Sequence, residues 1–357
     1  MTSIGMRRLS GVKRVTAIAA SLLIAGGALT ACGAAGAKVE ADSSGNRTIR
    51  IAAPFISTMN SAVLYAAGAG IFDKYNIKVK FVEVSNAGGL AATLGGSTDM
   101  SITSAVNPLA ALEQGQEFPI IAATGNGFPE SVIVTKKDWD ASGLKEDSPL
   151  KDKMAFLRGK KWGVSSPEGS SVYMAKYLFQ LAGFKQSDFN MNSLGSSSGT
   201  LAALKAEKVV AGSMGSPYPQ IAQSEGYAHV FLGISGGEVP EMSNILTSVV
   251  AVTPDFLKNN EELVTDFKKA LGEAQGLVYS QPEKVDEWVY EHHFEGTPKE
   301  AVLAGVADQR AGGSIARQPE VSEESAQKMV TFMEATGQTV PDDWKKLFVD
   351  FPDFQLD

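Results

Sequence analysis

The sequence predicts an α/β protein of two lobes, each a mainly parallel sheet flanked by helices. Three observations carry that expectation. Short β-type runs alternate with Gly-rich turns and apolar helical runs, the order that builds parallel strand–helix–strand units. The alternation breaks in a charged stretch at 138–152 and restarts near residue 160, so two halves share one plan with little shared sequence. A chain of 357 residues also exceeds what a single core normally organises.

In order, "RTIRIAA" (47–53) reads as the first strand and, after a polar turn, "SAVLYAAGAGIFDKY" (61–75) as a helix. "IKVKFVEV" (77–84) alternates with period two, the mark of a half-buried strand. A short helix at "LAATLGG", a strand at "TDMSITS" (98–104), a helix at "AVNPLAALEQGQ" and a strand at "FPIIAAT" (118–124) continue the series. "SVIVTKKD" (131–138) is a strand that runs into the charged stretch. The second half repeats the theme: strand "KKWGVSS" (160–166), amphipathic helix "VYMAKYLFQLAGF" (172–184), then "FNMNSLG", a helix at 200–207 and strand "VVAGSMG" (209–215). "NILTSVVAVT" (244–253) is long enough to cross between lobes, and the remainder is helical, with starts at Pro254 and Pro282. Lobe I is therefore expected to comprise 47–132 plus 250–357 and lobe II 133–249. Two crossovers, near 131–138 and 245–252, form the hinge.

The front end reads as an export signal. Arg7, Arg8, Lys13 and Arg14 precede the uncharged run "VTAIAASLLIAGGALTA", which is too short and too rich in Gly and Ala for a good membrane span. "LTAC" (Leu29–Cys32) resembles the bacterial lipobox, which implies cleavage after residue 31 and acylation of Cys32, palmitate included. Cys32 is the only cysteine, which excludes an intramolecular disulfide and any paired-cysteine metal or redox site. The expected product is exported and held on the outer face of a bacterial cell membrane by its lipid alone. Residues 32–46, small and polar, read as a flexible tether. Subtracting the four basic residues of the signal from 32 Lys+Arg leaves 28 against 40 Asp+Glu, a balance of −12. Such a surface offers no basic stripe for nucleic acid.

Past the signal, the chain resembles the nitrate/sulfonate/taurine-type solute-binding proteins of ABC importers. The resemblance rests on "GAGIFDKYNIKVKFVEVSNAGGLAATLGGSTDMSITSAVNPLAALEQGQEFPIIAA" (68–123), "LRGKKWGVSSPEGSSVYMAKYLFQLAGF" (157–184) and "LAALKAEKVVAGSMGSPYP" (201–219). Gly70, Phe72 and Val79 match the family's opening motif, Pro108 to Gly115 a later one, and Leu157, Gly159, Lys160, Gly163 and Val164 the signature of the second half. Asn76 stands where the family usually has Gly, and "GSPYP" replaces its usual "W-x-P-Y". The resemblance implies a two-lobed periplasmic-binding-protein-like fold with a small-molecule ligand in the cleft. It also implies an ABC permease and its ATPase as partners, no cofactor, a monomer and no enzymatic activity.

In an open parallel sheet, ligands sit beyond the carboxyl ends of the strands. The turns so placed are 55–60, 85–89, 103–107 and 125–128, then 165–171, 196–200 and 215–219. They are rich in hydroxyls, amides and glycine, and Glu168 carries their only charge. Hydroxyls and free N–H groups at helix starts suit an oxyanion, so an organic anion such as a sulfonate or carboxylate is the expected ligand. The candidates are Ser57, Thr58, Asn60, Asn86, Gly88, Ser104, Asn107, Ser170, Ser171, Ser197, Thr200 and Ser216, with Phe55, Phe128 and Tyr218 as an apolar wall. The plainer alternative for each polar residue is a helix cap, which needs no ligand. Glu168 instead favours an amine or a nitrogen heterocycle if it points inward.

Gly195, Ser197 and Gly199 also match the G-x-S-x-G turn that holds a nucleophilic serine. That reading makes the chain a secreted hydrolase and requires one of three histidines, His229, His292 or His293, as its base. A sensor or adhesion lipoprotein built on the same cleft is a third reading. No metal-protease, nucleotide-loop or dinucleotide motif occurs, and no metal is expected.

Overall fold

The structure, a computed structural model, describes residues 35–53, 57–84, 88–167 and 169–355. Expectations that fall on 1–34, Cys32 among them, lie outside the described residues. The first half runs β1 (Arg47–Ala53), α1 (Ser61–Gly68), β2 (Ile77–Glu83), α2 (Gly88–Leu94), β3 (Met100–Ser104), α3 (Val106–Glu113) and β4 (Ile120–Gly127). The second begins with β5 (Glu130–Thr135), α4 (Lys136–Ser142), α5 (Leu150–Leu157), β6 (Lys161–Val164) and α6 (Ser170–Leu181). It continues with β7 (Asn190–Ser193), α7 (Ser197–Lys205), β8 (Ala211–Gly215), α8 (Tyr218–Ser224) and β9 (Ala228–Leu232). Then come β10 (Ser243–Ala251), α9 (Pro254–Asn259), α10 (Glu261–Ser280), α11 (Pro282–His293), α12 (Lys299–Ala311) and α13 (Glu323–Ala335).

Two five-stranded sheets result, in the orders β2-β1-β3-β10-β4 and β7-β6-β8-β5-β9. In the first, β1 runs parallel to β2 and β3, while β10 is antiparallel to both β3 and β4. In the second, β6 runs parallel to β7 and β8, while β5 is antiparallel to β8 and β9. The odd strand is in each case the one that has just arrived from the other sheet. It enters where its neighbours end, so its amino end lies at the edge where their carboxyl ends lie.

Of the parallel strands, β3, β6 and β8 are buried on both faces, as inner strands of helix-covered sheets require, while the edge strands β2 and β7 are largely exposed. Ile49 and Ile51 of β1 are fully buried, and Phe72 stacks on Phe267 of α10 with ring centres 5.1 Å apart. Under the second sheet Trp162, Leu178 and Phe179 are fully buried, and the Trp162 indole donates to Ser213 Oγ at 2.8 Å. Arg50 grips Asp99 through both carboxylate oxygens at 2.6 and 3.1 Å, tying β1 to the turn before β3.

Three local details differ from the sequence reading. The helix expected over 61–75 ends at Gly68; a 3₁₀ turn at 72–75 follows, closed by Asn76 in the left-handed region at φ 55°. The strand expected to reach 138 stops at Thr135, whose hydroxyl accepts from the Asp138 N–H at 3.1 Å and starts α4. The late helices do not all return to the first sheet. α10 and α11 pack on α1, but α12 packs on both α8 and the turn at 58–60. α13 lies along β10, and its Phe332 meets Phe128 at 5.0 Å and Tyr177 of α6 at 5.2 Å.

The chain changes sheets at 128–129 and again within 233–242, while the boundaries expected at 132/133 and 249/250 fall inside β5 and β10. One buried hydroxyl laces the two passages: Ser314 Oγ lies 3.2 Å from both the Phe128 and the Ser235 carbonyl oxygens. Ser131 and Ser235 share a second hydroxyl contact at 3.0 Å.

Candidate functional site

The edge where the sheets face each other carries a set of polar atoms that are shut from solvent and have no hydrogen-bond partner among the described residues. They are Thr58 Oγ1, Asn60 Oδ1 and Asn126 Oδ1 on the first-sheet side, Glu130 Oε2, Ser216 Oγ and Gln220 Oε1 on the second, and Gln309 Oε1 on α12. Their carriers adjoin. The 58–60 turn packs on β4 and on α12. A Cβ placed on Gly125 would stand 2.9 Å from Met59 Sδ, and one on Gly305 of α12 would stand 2.6 Å from Ser216 Cβ. Gln309 reaches the Pro129 carbonyl at 3.4 Å, and Glu130 pairs in register with Gly215, next to Ser216. Each buried polar atom left without a hydrogen bond costs about 1–3 kcal/mol, and cores rarely tolerate several together.

Of the expected site residues, Thr58, Asn60 and Ser216 belong to this set. Ser57 caps the 58–60 turn, its hydroxyl accepting from Met59 N at 3.3 Å. Ser170, at the first turn of α6, donates to Glu130 Oε1 at 2.6 Å, and Ser171 is buried beside it. Ser104 is exposed at the end of β3, opposite Ser248 in register, and Gly88 opens α2. Asn107 donates to Thr103 Oγ1 at 2.7 Å. Phe128 is buried against Phe332, and Thr200 is fully buried with its hydroxyl on the Ser196 carbonyl. Tyr218 packs against the small apolar cluster that holds Ile133, Leu204, Met214 and Ala222. Phe55, Asn86 and Glu168 lie outside the described residues.

Four residues of the set were not anticipated: Asn126, Glu130, Gln220 and Gln309. Glu130 matters most, because it is a carboxylate. Burial pushes its carboxyl above the ordinary value, against the lowering effect of hydrogen bonds from Ser170 and Ser171. It forms no ion pair with a described residue.

Ser197 is the first residue of α7, and Ser196 performs the cap, accepting from Gly199 N at 3.0 Å. The Ser197 hydroxyl lies 3.4 Å from Ser165 Oγ. The histidines are engaged elsewhere: His229 stacks on Trp139 at 4.0 Å, and His292 stacks on Trp288 at 4.1 Å with His293 at the same indole. No nucleophile–base pair forms. Among the described residues no group of His, Cys, Asp and Glu is placed to hold a metal ion.

Two sheets joined by a laced double passage, with partnerless polar atoms along their seam, define a protein of the two-lobed periplasmic-binding fold. The chain belongs to the NMT1-like family, whose sequence pattern matches residues 42–289. Many solved structures share the fold, three of them as follows. The periplasmic aliphatic sulphonate-binding protein SsuA of Escherichia coli is 21% identical at a TM-score of 0.64, over 84% of this chain and 98% of that one. The alkanesulfonate-binding protein SsuA of Xanthomonas axonopodis pv. citri, bound to MOPS, is 18% identical at 0.61, over 83% and 94%. The periplasmic nitrate-binding protein NrtA of Synechocystis is 16% identical at 0.55, over 78% and 74%. Comparison with curated proteins finds no match.

Proposed function

We propose that this chain is the extracytoplasmic solute-binding component of an ABC importer, closing its two lobes on a small molecule and presenting it to a permease driven by an ATPase. The observation that carries the proposal is the row of partnerless polar atoms from both lobes, Thr58, Asn60 and Asn126 facing Glu130 and Ser216. A binding protein needs such groups unpaired within the fold, since the solute is what pairs them. The fold shared with sulfonate- and nitrate-binding proteins supports the same reading. Acylation at Cys32 and function as a monomer complete the proposal; the free tether expected over 32–46 is shorter than that, because Val39 N–H donates to Asn260 Oδ1 at 2.8 Å and the Gly36 and Ala37 carbonyls accept from Asn259 and Asn260.

For the solute, the hydroxyls of Thr58 and Ser216 can donate to a small organic anion, a sulfonate or carboxylate, whereas the amide oxygens of Asn60, Asn126, Gln220 and Gln309 and Glu130 Oε2 only accept. An amine or nitrogen heterocycle is the second reading, and the carboxylate of Glu130 favours it. A thermal-shift screen of the exported domain against sulfonates, carboxylates, nitrate-like anions and nitrogen heterocycles tests the function. Stabilisation that grows with solute concentration, without turnover, is the expected result. Ester hydrolysis abolished by Ser197→Ala would overturn it.

A further inference from the structure

We infer that Glu130 is a specificity-determining residue whose free oxygen receives an N–H donor from the solute, so that the transported molecule carries a protonated or N–H-bearing nitrogen. The inference rests on the solute-binding reading above and deepens it.

The geometry divides the two carboxylate oxygens between two tasks. Oε1 accepts from Ser170 Oγ at 2.6 Å, which fixes the side-chain orientation from the first turn of α6. Oε2 is shut from solvent and has no hydrogen-bond partner among the described residues. Strand direction places the group: β5 runs antiparallel to β8, so its first residue, Glu130, lies at the edge of the sheet where β8 ends at Gly215. From there it adjoins Ser216, whose hydroxyl is also partnerless, and the Pro129 carbonyl that Gln309 reaches.

A carboxylate offers acceptors only, and a free oxygen out of water is costly until a donor meets it. Among the described residues no Lys, Arg or His pairs with Glu130; burial pushes its carboxyl towards the neutral form, and the hydroxyls of Ser170 and Ser171 oppose that only in part. To the ionised form of Glu130 a sulfonate or carboxylate solute brings only acceptors of like charge. An ammonium, amidine or ring N–H brings the donor, and a charge-assisted bond of that kind is stronger than a neutral one.

The test compares matched solute sets on the exported domain and its Glu130→Gln variant, which keeps shape and removes charge. One set carries nitrogen donors (benzylamine, benzamidine, aminopyrimidines); the other replaces the nitrogen group with an anion or nothing (benzoate, benzenesulfonate, alkanesulfonates). We expect stabilisation from members of the first set, weakened at least about tenfold in apparent affinity by Glu130→Gln. Ser170→Ala, which frees the carboxylate to turn, should weaken the same solutes by a smaller factor. Stabilisation by nitrogen-free anions, equal in wild type and Glu130→Gln, would overturn the role of Glu130 while leaving the importer reading intact. Stabilisation by neither set would overturn the solute-binding reading itself, and this inference with it.

Discussion

The close approach of α12 to the hinge makes Gly312→Ala an informative perturbation. A Cβ at Gly312 would stand 2.2 Å from the Ser235 carbonyl oxygen and 2.6 Å from both Gly236 C and Gly237 N. All three are main-chain atoms of the passage between sheets, held by the Ser314 hydroxyl, so none can swing aside as a side-chain tip would. Overpacking of this kind costs about 1–3 kcal/mol. With an unfolding entropy of about 2.1 cal/mol/K per residue, a folded body of this size should lose about 1.5–4.5 °C in Tm. Differential scanning calorimetry of the solute-free protein measures it. Gly276→Ala, in α10, is the control: a Cβ there meets nothing within 4 Å, so the substitution should be neutral or stabilise by a few tenths of a kcal/mol. Equal melting of Gly312→Ala and wild type would show that α12 does not press on the hinge in solution.

The remaining predictions concern charge, packing and chemistry. Arg310 holds Asp286 through two bonds of 2.8 and 2.9 Å at a largely buried site, so Arg310→Met should cost about 3–5 kcal/mol by chemical denaturation, since it strands the carboxylate. Trp162→Phe removes the indole donor from the buried Ser213 hydroxyl and should cost about 1–3 kcal/mol; restoring most of that loss with a second change, Ser213→Ala, checks the cause. Burial raises the Glu130 carboxyl above its ordinary 4.5, so the folded state binds this proton more tightly than the unfolded chain. Its contribution to solute-free stability is therefore fullest below 4.5 and is lost as pH climbs through the raised value. Glu130→Gln should accordingly raise Tm near pH 7 and not near pH 4, measured on paired melts. Ser197→Ala should leave solute affinity within about twofold, because the Ser197 hydroxyl lies by Ser165 Oγ and is not one of the partnerless atoms of the seam.

Much of the fold was legible because the parallel strands are short, apolar and bounded by turns, and the first strand was read with its observed limits, 47–53. What escaped was direction. Periodicity reports which face a residue occupies and is the same for a strand run either way, so β5 and β10 gave no sign of being antiparallel. That omission hid Glu130: the search for site residues followed carboxyl ends of strands, and this one stands at an amino end. A signal was present, a lone carboxylate between Pro129 and the apolar run "SVIVT", but at a strand boundary such a residue ordinarily faces water. Gln309 was hidden differently, because a helix near the carboxyl end reveals its partner only through tertiary packing. Sequence does not separate a cap such as Ser57 from a partnerless group such as its neighbour Thr58. The difference lies in burial and in which N–H is near, not in residue type.

The central claim is that both lobes close on one solute along the seam of partnerless polar atoms. Hydrogen–deuterium exchange, with and without the compound that most raises Tm in the solute screen, tests it most directly. The account predicts slowed exchange at 57–60 and 126–131 together with 215–220 and 305–310. Protection confined to one sheet, or centred on the depression lined by Glu146, Lys153 and Glu241, would contradict it.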